Sequence, residues 1–325
     1  MTGVQTCALP ICEEERHSRR MEEIVEKTKG IAEEWKMKAV LMATRYEDGD
    51  WFEKTKGYYQ KALEVDRDVE HIFAYAYFLQ EHNQYQEATP LYTEALETYR
   101  SIAKSNPSAF LPDVATTLNN LAILHHAKNE LEQADGEYGE ALEIYRSLAK
   151  SNPLAFLPYV AAILNNLAVL HRDKNELEQP EGEYGEALEI RRSLAKSNPS
   201  AFLPDVAMTL NNLANLHRAK NESEQAEEEY GEALEIYRSI VKSNPSAFLP
   251  YVANTASNLA VFYQDYQPDR EQSLAFVKDA LKAASPFDSN LKFAQDSIKR
   301  AKRVIERWGL DVEEFLKEID SEEDE

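Results

Sequence analysis

Cysteine is almost missing from this chain. Two occur in 325 residues, Cys7 and Cys12, both inside the opening MTGVQTCALPIC. From Glu13 onward no disulfide and no cysteine-ligated metal centre can be built. Glycine (10) and proline (13) are also scarce, and no segment alternates apolar and polar residues as a half-buried strand does, which argues against sheet folds. Basic charge falls short: 36 Lys and Arg face 58 Asp and Glu, leaving a net charge of −22. Such a surface repels phosphate backbones and anionic headgroups, so neither a nucleic-acid nor a membrane partner is expected. No stretch is read as approaching the roughly 18 apolar residues of a bilayer span. What remains is rich in Ala, Leu and Glu and 43% hydrophobic, enough for a core of helices.

The first twelve residues stand apart. TGVQTCALPI reads as the translation of a sequencing adapter. As a secretory or lipoprotein signal it lacks a basic start, its apolar core is short, and bulky Ile11 stands where a small residue is wanted. Residues 1–12 are therefore expected to be non-native, with native sequence upstream and any targeting signal lost with it. The remainder is expected to be cytoplasmic.

One unit is written repeatedly. KSNPSAFLPDVATTLNNLA begins at Lys104, and near-copies follow so that Asn106, Asn152, Asn198 and Asn244, each before a proline, are spaced 46 residues apart. Each unit carries two apolar stripes: Val114, Leu118, Leu121, Ala122 and His125, then Ala134, Tyr138, Ala141, Leu142 and Tyr145. Both step i, i+4, i+7, i+8, i+11, the period of a helix with one buried face. Pro112 is read as the first turn of the first helix, KNE at 128–130 as the turn, and SNP as the stop of the second helix near Lys150. Phe110 and Leu111 are expected to pin a linker to the core.

Leu118, Leu121, Ala122 and His125, followed by Ala134, Tyr138 and Ala141, fall at the large, large, small, aromatic, then small, aromatic, small spacing of the tetratricopeptide repeat, which the chain resembles. LNNLAILH with AEEEYGEALEIYR is most similar to the longer-repeat, kinesin-light-chain-like type, although the 46-residue period exceeds that family's usual unit. The resemblance implies an all-α, right-handed α-solenoid. Six hairpins are expected over 31–285, after a helical lead-in at 13–30. Capping helices would follow over 286–320, broken at Gly309 and carrying Trp308, Leu310 and Phe315, with an acidic tail at 321–325. Near-identity of three units points to recent duplication, common in bacterial repeat proteins.

In such solenoids the first helices line the concave face. Residues 112–129 hold one Asp, one Lys and two His, whereas 130–150 hold six acidic and two basic residues, so the negative charge is expected on the convex side. Glu137, Glu140 and Glu143 then read as a solvated face rather than catalytic carboxylates. His125, His171 and His217 occupy the family's buried aromatic position, taken by Tyr263 in the next unit. Helical layers roughly 8–10 Å apart keep them from sharing an ion, so no metal and no cofactor are expected.

The asparagines are the anomaly, because Asn costs a helix interior around 0.5 kcal/mol relative to Ala. By the family resemblance, Asn120, Asn166, Asn212 and Asn258 would face the groove and hold the backbone of an extended peptide, an amide offering donors and an acceptor whatever the side chains. Their neighbours Asn119, Asn165 and Asn211 would pack between repeats. The plainer alternative has all of them fixing the stacking. Further along the groove face come Ile123, Val169, Asn215 and Val261, then His126, Arg172, Arg218 and Gln264: an amide row, an apolar row and a weakly basic row.

No P-loop, dinucleotide turn or nucleophile with a histidine partner is present, so the reading is a non-enzymatic scaffold binding an extended, acidic or carboxylate-bearing protein segment. Two alternatives stand beside it: the regulatory arm of a longer signalling protein or enzyme, or a solenoid that self-associates.

Overall fold

A computed structural model describes residues 13–44, 49–288 and 291–323, with the side chains of 20–44, 49–288 and 291–319. The expected adapter segment, 1–12, lies outside the described residues. Fourteen α-helices and no strand occur among the described residues. They fall into two compact units, the first reaching Glu130 and the second starting at Leu131.

The first unit holds α1 (Glu13–Ala43), α2 (Trp51–Val65), α3 (Val69–Glu81), α4 (Tyr85–Ala103) and α5 (Pro107–Ala127). Consecutive helices pack together. The lead-in expected at 13–30 is not a separate element but the first half of α1. Tyr59, Tyr92 and Tyr99 are buried, with Ala62, Ala88 and Ala95 letting the backbones approach.

The second unit holds α6 (Leu131–Ser151), α7 (Pro153–Asp173), α8 (Gln179–Ser197), α9 (Pro199–Lys220), α10 (Ser223–Ile240), α11 (Pro245–Asp265), α12 (Arg270–Ala284), α13 (Lys292–Arg307) and α14 (Val312–Glu323). Each packs on the next, and α13 also packs on α11. Tyr184 and Tyr230 are wholly buried beside Ala187, Leu210, Ala214 and Ala233. The expected stripes are the buried faces in both units, from Val114 to His125 on α5 and from Ala134 to Tyr145 on α6. Ala301, Val304, Ile305 and Phe315 close the far end, with Trp308 and Leu310 packed against them. Gly309 supplies the left-handed turn between α13 and α14 (φ 72°), and α14 runs through Glu323, so the start of the expected tail is helical.

Two expectations need correction. The repeat's first helix starts at Pro107, not Pro112, and SAFLP is its opening turns rather than a linker. Asn152, Asn198 and Asn244 cap the equivalent helices, each side chain accepting from an N–H three residues on at 3.3 Å. The proline after each Asn sits at the first helical position, where a missing N–H costs nothing. The second proline therefore lies inside the helix and costs one backbone bond near its start. Second, α7 is, by length and composition, apolar enough to cross a membrane, contrary to the reading that no stretch approaches this. Two prolines and two asparagines break its apolar run. Here Val160, Ile163, Leu164, Leu167 and Leu170 are buried against neighbouring helices.

Four first helices, α3, α5, α7 and α9, end on an asparagine in the left-handed region: Asn83, Asn129, Asn175 and Asn221, with φ between 59° and 64°. Asn is the non-glycine residue that adopts this conformation most readily. In α7 the N–H of Glu176 bonds to the carbonyl of His171 (2.9 Å) and that of Asn175 to Arg172 (2.9 Å), and α9 repeats the pattern through His217 and Arg218. This C-terminal closure fixes the last helical turn, which carries His171, Arg172, His217 and Arg218.

Candidate functional site

The second unit contains a cavity of about 760 Å³ bounded by α7, α9, α11 and α13. Arg172 comes from α7. Asn211, Asn212, Asn215 and Arg218 come from α9, and Asn254, Asn258 and Val261 from α11. The opposite wall is Arg300 and Arg303 of α13. No carboxylate and no lysine belongs to this lining.

Its floor explains why helices tolerate paired asparagines. Asn212 Nδ2 donates to Asn165 Oδ1 (3.2 Å), and Asn258 Nδ2 donates to Asn211 Oδ1 (3.0 Å). The second Asn of one repeat thus clasps the first Asn of the repeat before it. Asn165, Asn211 and Asn258 are buried, where an unmatched amide would cost about 1–3 kcal/mol. Each donor amide keeps a second N–H. Asn215 spans two elements, donating to the Asn211 carbonyl (2.7 Å) and accepting from the Tyr230 hydroxyl (2.8 Å).

Two of the four arginines, Arg300 and Arg218, are held without being neutralised. Arg300 Nη1 donates to the amide oxygens of Asn254 and Asn258, both at 3.1 Å. Arg218 lies 5.7 Å from the Tyr266 ring. Arg172 is paired with adjacent Asp173 at 2.9 Å.

Of the residues singled out in the sequence, Arg172, Asn212, Asn215, Arg218, Asn258 and Val261 share this one cavity. Asn166 and Val169 are half-buried on α7 outside that lining, and Gln264 donates to the Val304 carbonyl (2.9 Å). Asn120, Ile123 and His126 belong to α5 of the first unit. There Asn120 is buried and spends a donor on the Tyr92 hydroxyl (3.1 Å), while Asn119 donates to Asn120 (3.3 Å). Sequence reasoning missed Arg300, Arg303 and Asn254. The signal was there in α13, KFAQDSIKRAKRVIER, whose six basic residues against two acidic ones invert the balance of the chain.

Behind the cavity the buried histidines organise a second polar layer. His217 Nδ1 meets Glu229 at 2.7 Å, and its Nε2 lies 3.9 Å from Glu181 and 3.7 Å from Glu222. Glu181, His217 and Glu222 are close enough to hold a cation. The Lys220 ammonium already bridges the two carboxylates, at 2.5 and 3.3 Å. The hydrogen bond from Lys220 lowers the Glu181 pKa and raises that of Lys220. Lys174 bridges Asp135 and Glu176 beside His171 in the same way, at 2.9 and 3.3 Å. Burial pushes Glu229 up to about 7, against the lowering effect of His217.

Residues 114–153 and 159–239 match models of the tetratricopeptide repeat. No curated protein matches the sequence. Among solved structures, the apo form of RapI superposes with a TM-score of 0.58 at 16% identity, covering 86% of this chain and 98% of that one. A chain of the APC/C hetero-tetramer Cut9–Hcn1 gives 0.55 at 17% identity, over 86% of this chain and 44% of that one. BtubC (BKLC) from P. vanneervenii gives 0.48 at 23% identity, over 87% and 92%. With the helix-pair packing around buried tyrosine and alanine, these matches show that residues 114–153 and 159–239 are tetratricopeptide repeats.

Proposed function

We propose that this scaffold holds an extended, acidic segment of another protein in the cavity of its second unit. Tetratricopeptide repeats serve protein–protein interaction, and Cut9–Hcn1 is a fold relative seen in a hetero-tetramer. The observation that carries the finer reading is the cavity lining, with four arginines, six asparagines and no carboxylate in a chain of net charge −22. The remaining N–H groups of Asn212 and Asn258 are suited to backbone carbonyls, which gives grip without demanding a side-chain sequence. Arg172 and Arg218 supply charge on one side and Val261 an apolar contact. Asn120, Ile123 and His126 have no part in this reading.

The test is a fluorescence-anisotropy titration of the full chain with a labelled glutamate-rich 12-residue peptide. Binding should weaken between 50 and 200 mM salt, and Arg218→Glu should weaken it about tenfold or more through loss of a charge-assisted contact. A glutamate-rich peptide that fails to bind, or binds Arg218→Glu equally well, refutes the proposal.

A further inference from the structure

Five arginines elsewhere in the chain are each matched to a carboxylate: Arg67 to Glu94, Arg146 to Glu186, Arg192 to Glu232, Arg238 to Asp279 and Arg307 to Asp265. That is the ordinary fate of a cation on so acidic a surface. Arg218, Arg300 and Arg303 depart from it, as do Arg191, buried against Thr209 and the Asp205 carbonyl, and exposed Arg270, neither of which borders the cavity. No carboxylate pairs with Arg218, Arg300 or Arg303 among the described residues, and all three border one cavity. Neutral groups hold two of them, amide oxygens for Arg300 and a tyrosine ring for Arg218. A neutral acceptor orients a guanidinium without consuming its charge. Two of the three guanidiniums are thus pre-organised, and none is spent on a carboxylate.

The residue types narrow the missing anion. A guanidinium offers a planar fork of donors that matches phosphate oxygens two at a time, whereas an ammonium is a point charge. Lysines were at hand: α13 also carries Lys299 and Lys302, but they turn to other surfaces and only Arg300 and Arg303 reach this cavity. One carboxylate would satisfy one fork. A phosphorylated side chain brings a charge of about −1.5 to −2 and three strong acceptors. It can therefore engage forks from α9 and α13 together. At about 760 Å³ the cavity is far larger than a phosphate, leaving room for the chain that carries it over the asparagine floor.

We propose that the cavity reads a phosphorylated side chain on an extended protein segment, with Arg300 and Arg303 of the end helix α13 as the reading residues. This rests on the proposed function, and it makes α13 a part of the binding surface as well as the cover of the last hairpin. Partner binding then depends on a kinase acting on the partner.

The experiment uses the full chain and three degenerate peptide libraries identical except for one fixed position: phosphoserine, glutamate or serine. The phosphoserine library should bind at least tenfold more tightly than the glutamate library, with serine weakest. Arg303→Gln, at a side chain with no internal partner to lose, should cut phosphoserine binding at least fivefold and glutamate binding less than twofold. Millimolar inorganic phosphate should compete. Equal binding of phosphoserine and glutamate overturns the phosphate assignment while leaving the acidic-segment reading intact. Failure of both libraries overturns both. N-acetyl-phosphoserine amide binding as tightly as the phosphoserine library would make this a site for small phosphorylated molecules, and overturn the segment.

Discussion

Tyr184 and Tyr230 stand 46 residues apart at the same repeat position, both wholly buried, yet their hydroxyls meet different fates. Tyr230 donates to Asn215 Oδ1 at 2.8 Å. The residue equivalent to Asn215, 46 positions earlier, is Val169, and the Tyr184 hydroxyl has no hydrogen-bond partner among the described residues. Removing the two hydroxyls should therefore have opposite effects. Tyr230→Phe gives up a made hydrogen bond, worth about 0.5–1.5 kcal/mol net. Tyr184→Phe removes a polar group desolvated without compensation, a penalty of about 1–3 kcal/mol of which roughly 1 kcal/mol should be recovered. The phenyl ring keeps its packing in both variants, so cavity formation does not confuse the comparison.

A solenoid unfolds in pieces, so the measurement must be local. Native-state hydrogen exchange on α8 and α10, beside urea unfolding of the whole chain, should show α8 firmer in Tyr184→Phe and α10 looser in Tyr230→Phe, a spread of about 2 kcal/mol. Val169→Asn would place an acceptor where Asn215 stands in the next repeat. In that background Tyr184→Phe should become destabilising, and a double-mutant cycle isolates the new bond. Changes of the same sign, within about 0.5 kcal/mol of each other, would refute the reasoning, because the neighbour at 169 or 215 would then not be what decides.

Asn211→Ala should destabilise the second unit by about 0.5–1.5 kcal/mol, read as an earlier thermal transition, since it strands the Asn258 donor and returns only some 0.5 kcal/mol of helix propensity. A groove role alone predicts unchanged melting. Glu229 is the pH-sensitive position. Its carboxyl, raised to about 7, holds its proton in the folded state above the range where the unfolded chain releases it. The folded state therefore binds more protons between roughly pH 4.5 and 7, and stability falls as pH rises through that window. Glu229→Gln should match the parent near pH 4.5 and exceed it by about 1–3 kcal/mol at pH 8 in urea titrations at both pH values, a constant difference being the contrary result.

The apolar stripes were legible because burial is periodic: Leu118, Leu121, Tyr138 and Ala141 must recur at helical spacing whatever else the repeat does. Helix starts were less so. Pro107 and Pro112 both meet the rule for a first-turn proline, and what separates them is the capping side chain one residue before Pro107, which a search for proline alone overlooks. The two asparagines of each pair look alike in sequence. Which one clasps and which one accepts depends on how far successive layers are offset, a tertiary quantity. The second Asn, assigned to the groove, carries part of the stacking as well. Arg300 and Arg303 were missed for a different reason. They lie outside the repeat, so no periodic argument points to them, although the basic composition of α13 did.

Repetition itself separates the two kinds of residue. Every internal layer of a solenoid meets the same packing demand, so a residue that serves stacking should recur unchanged, as Asn165 and Asn211 do with their clasping partners Asn212 and Asn258. A bound segment imposes no 46-residue period. Residues that contact it should differ from layer to layer, and one position in the cavity lining does: Asn215 on α9 becomes Val261 on α11. The second asparagine is what all four copies have in common, and the first recurs in three of them, hence chiefly mortar. On the proposed function, specificity would reside in the positions where duplication has been edited, and in α13, which lies outside the 46-residue copies. Grafting Val169 and Arg172 into the next layer, as Asn215→Val with Arg218 kept, preserves the charge and removes the amide. A change in which peptide is preferred, with the Asn211–Asn258 clasp intact and loosening confined to α10, where Tyr230 loses its acceptor, is the behaviour expected of an edited position; loss of α9–α11 stacking would place Asn215 among the mortar instead.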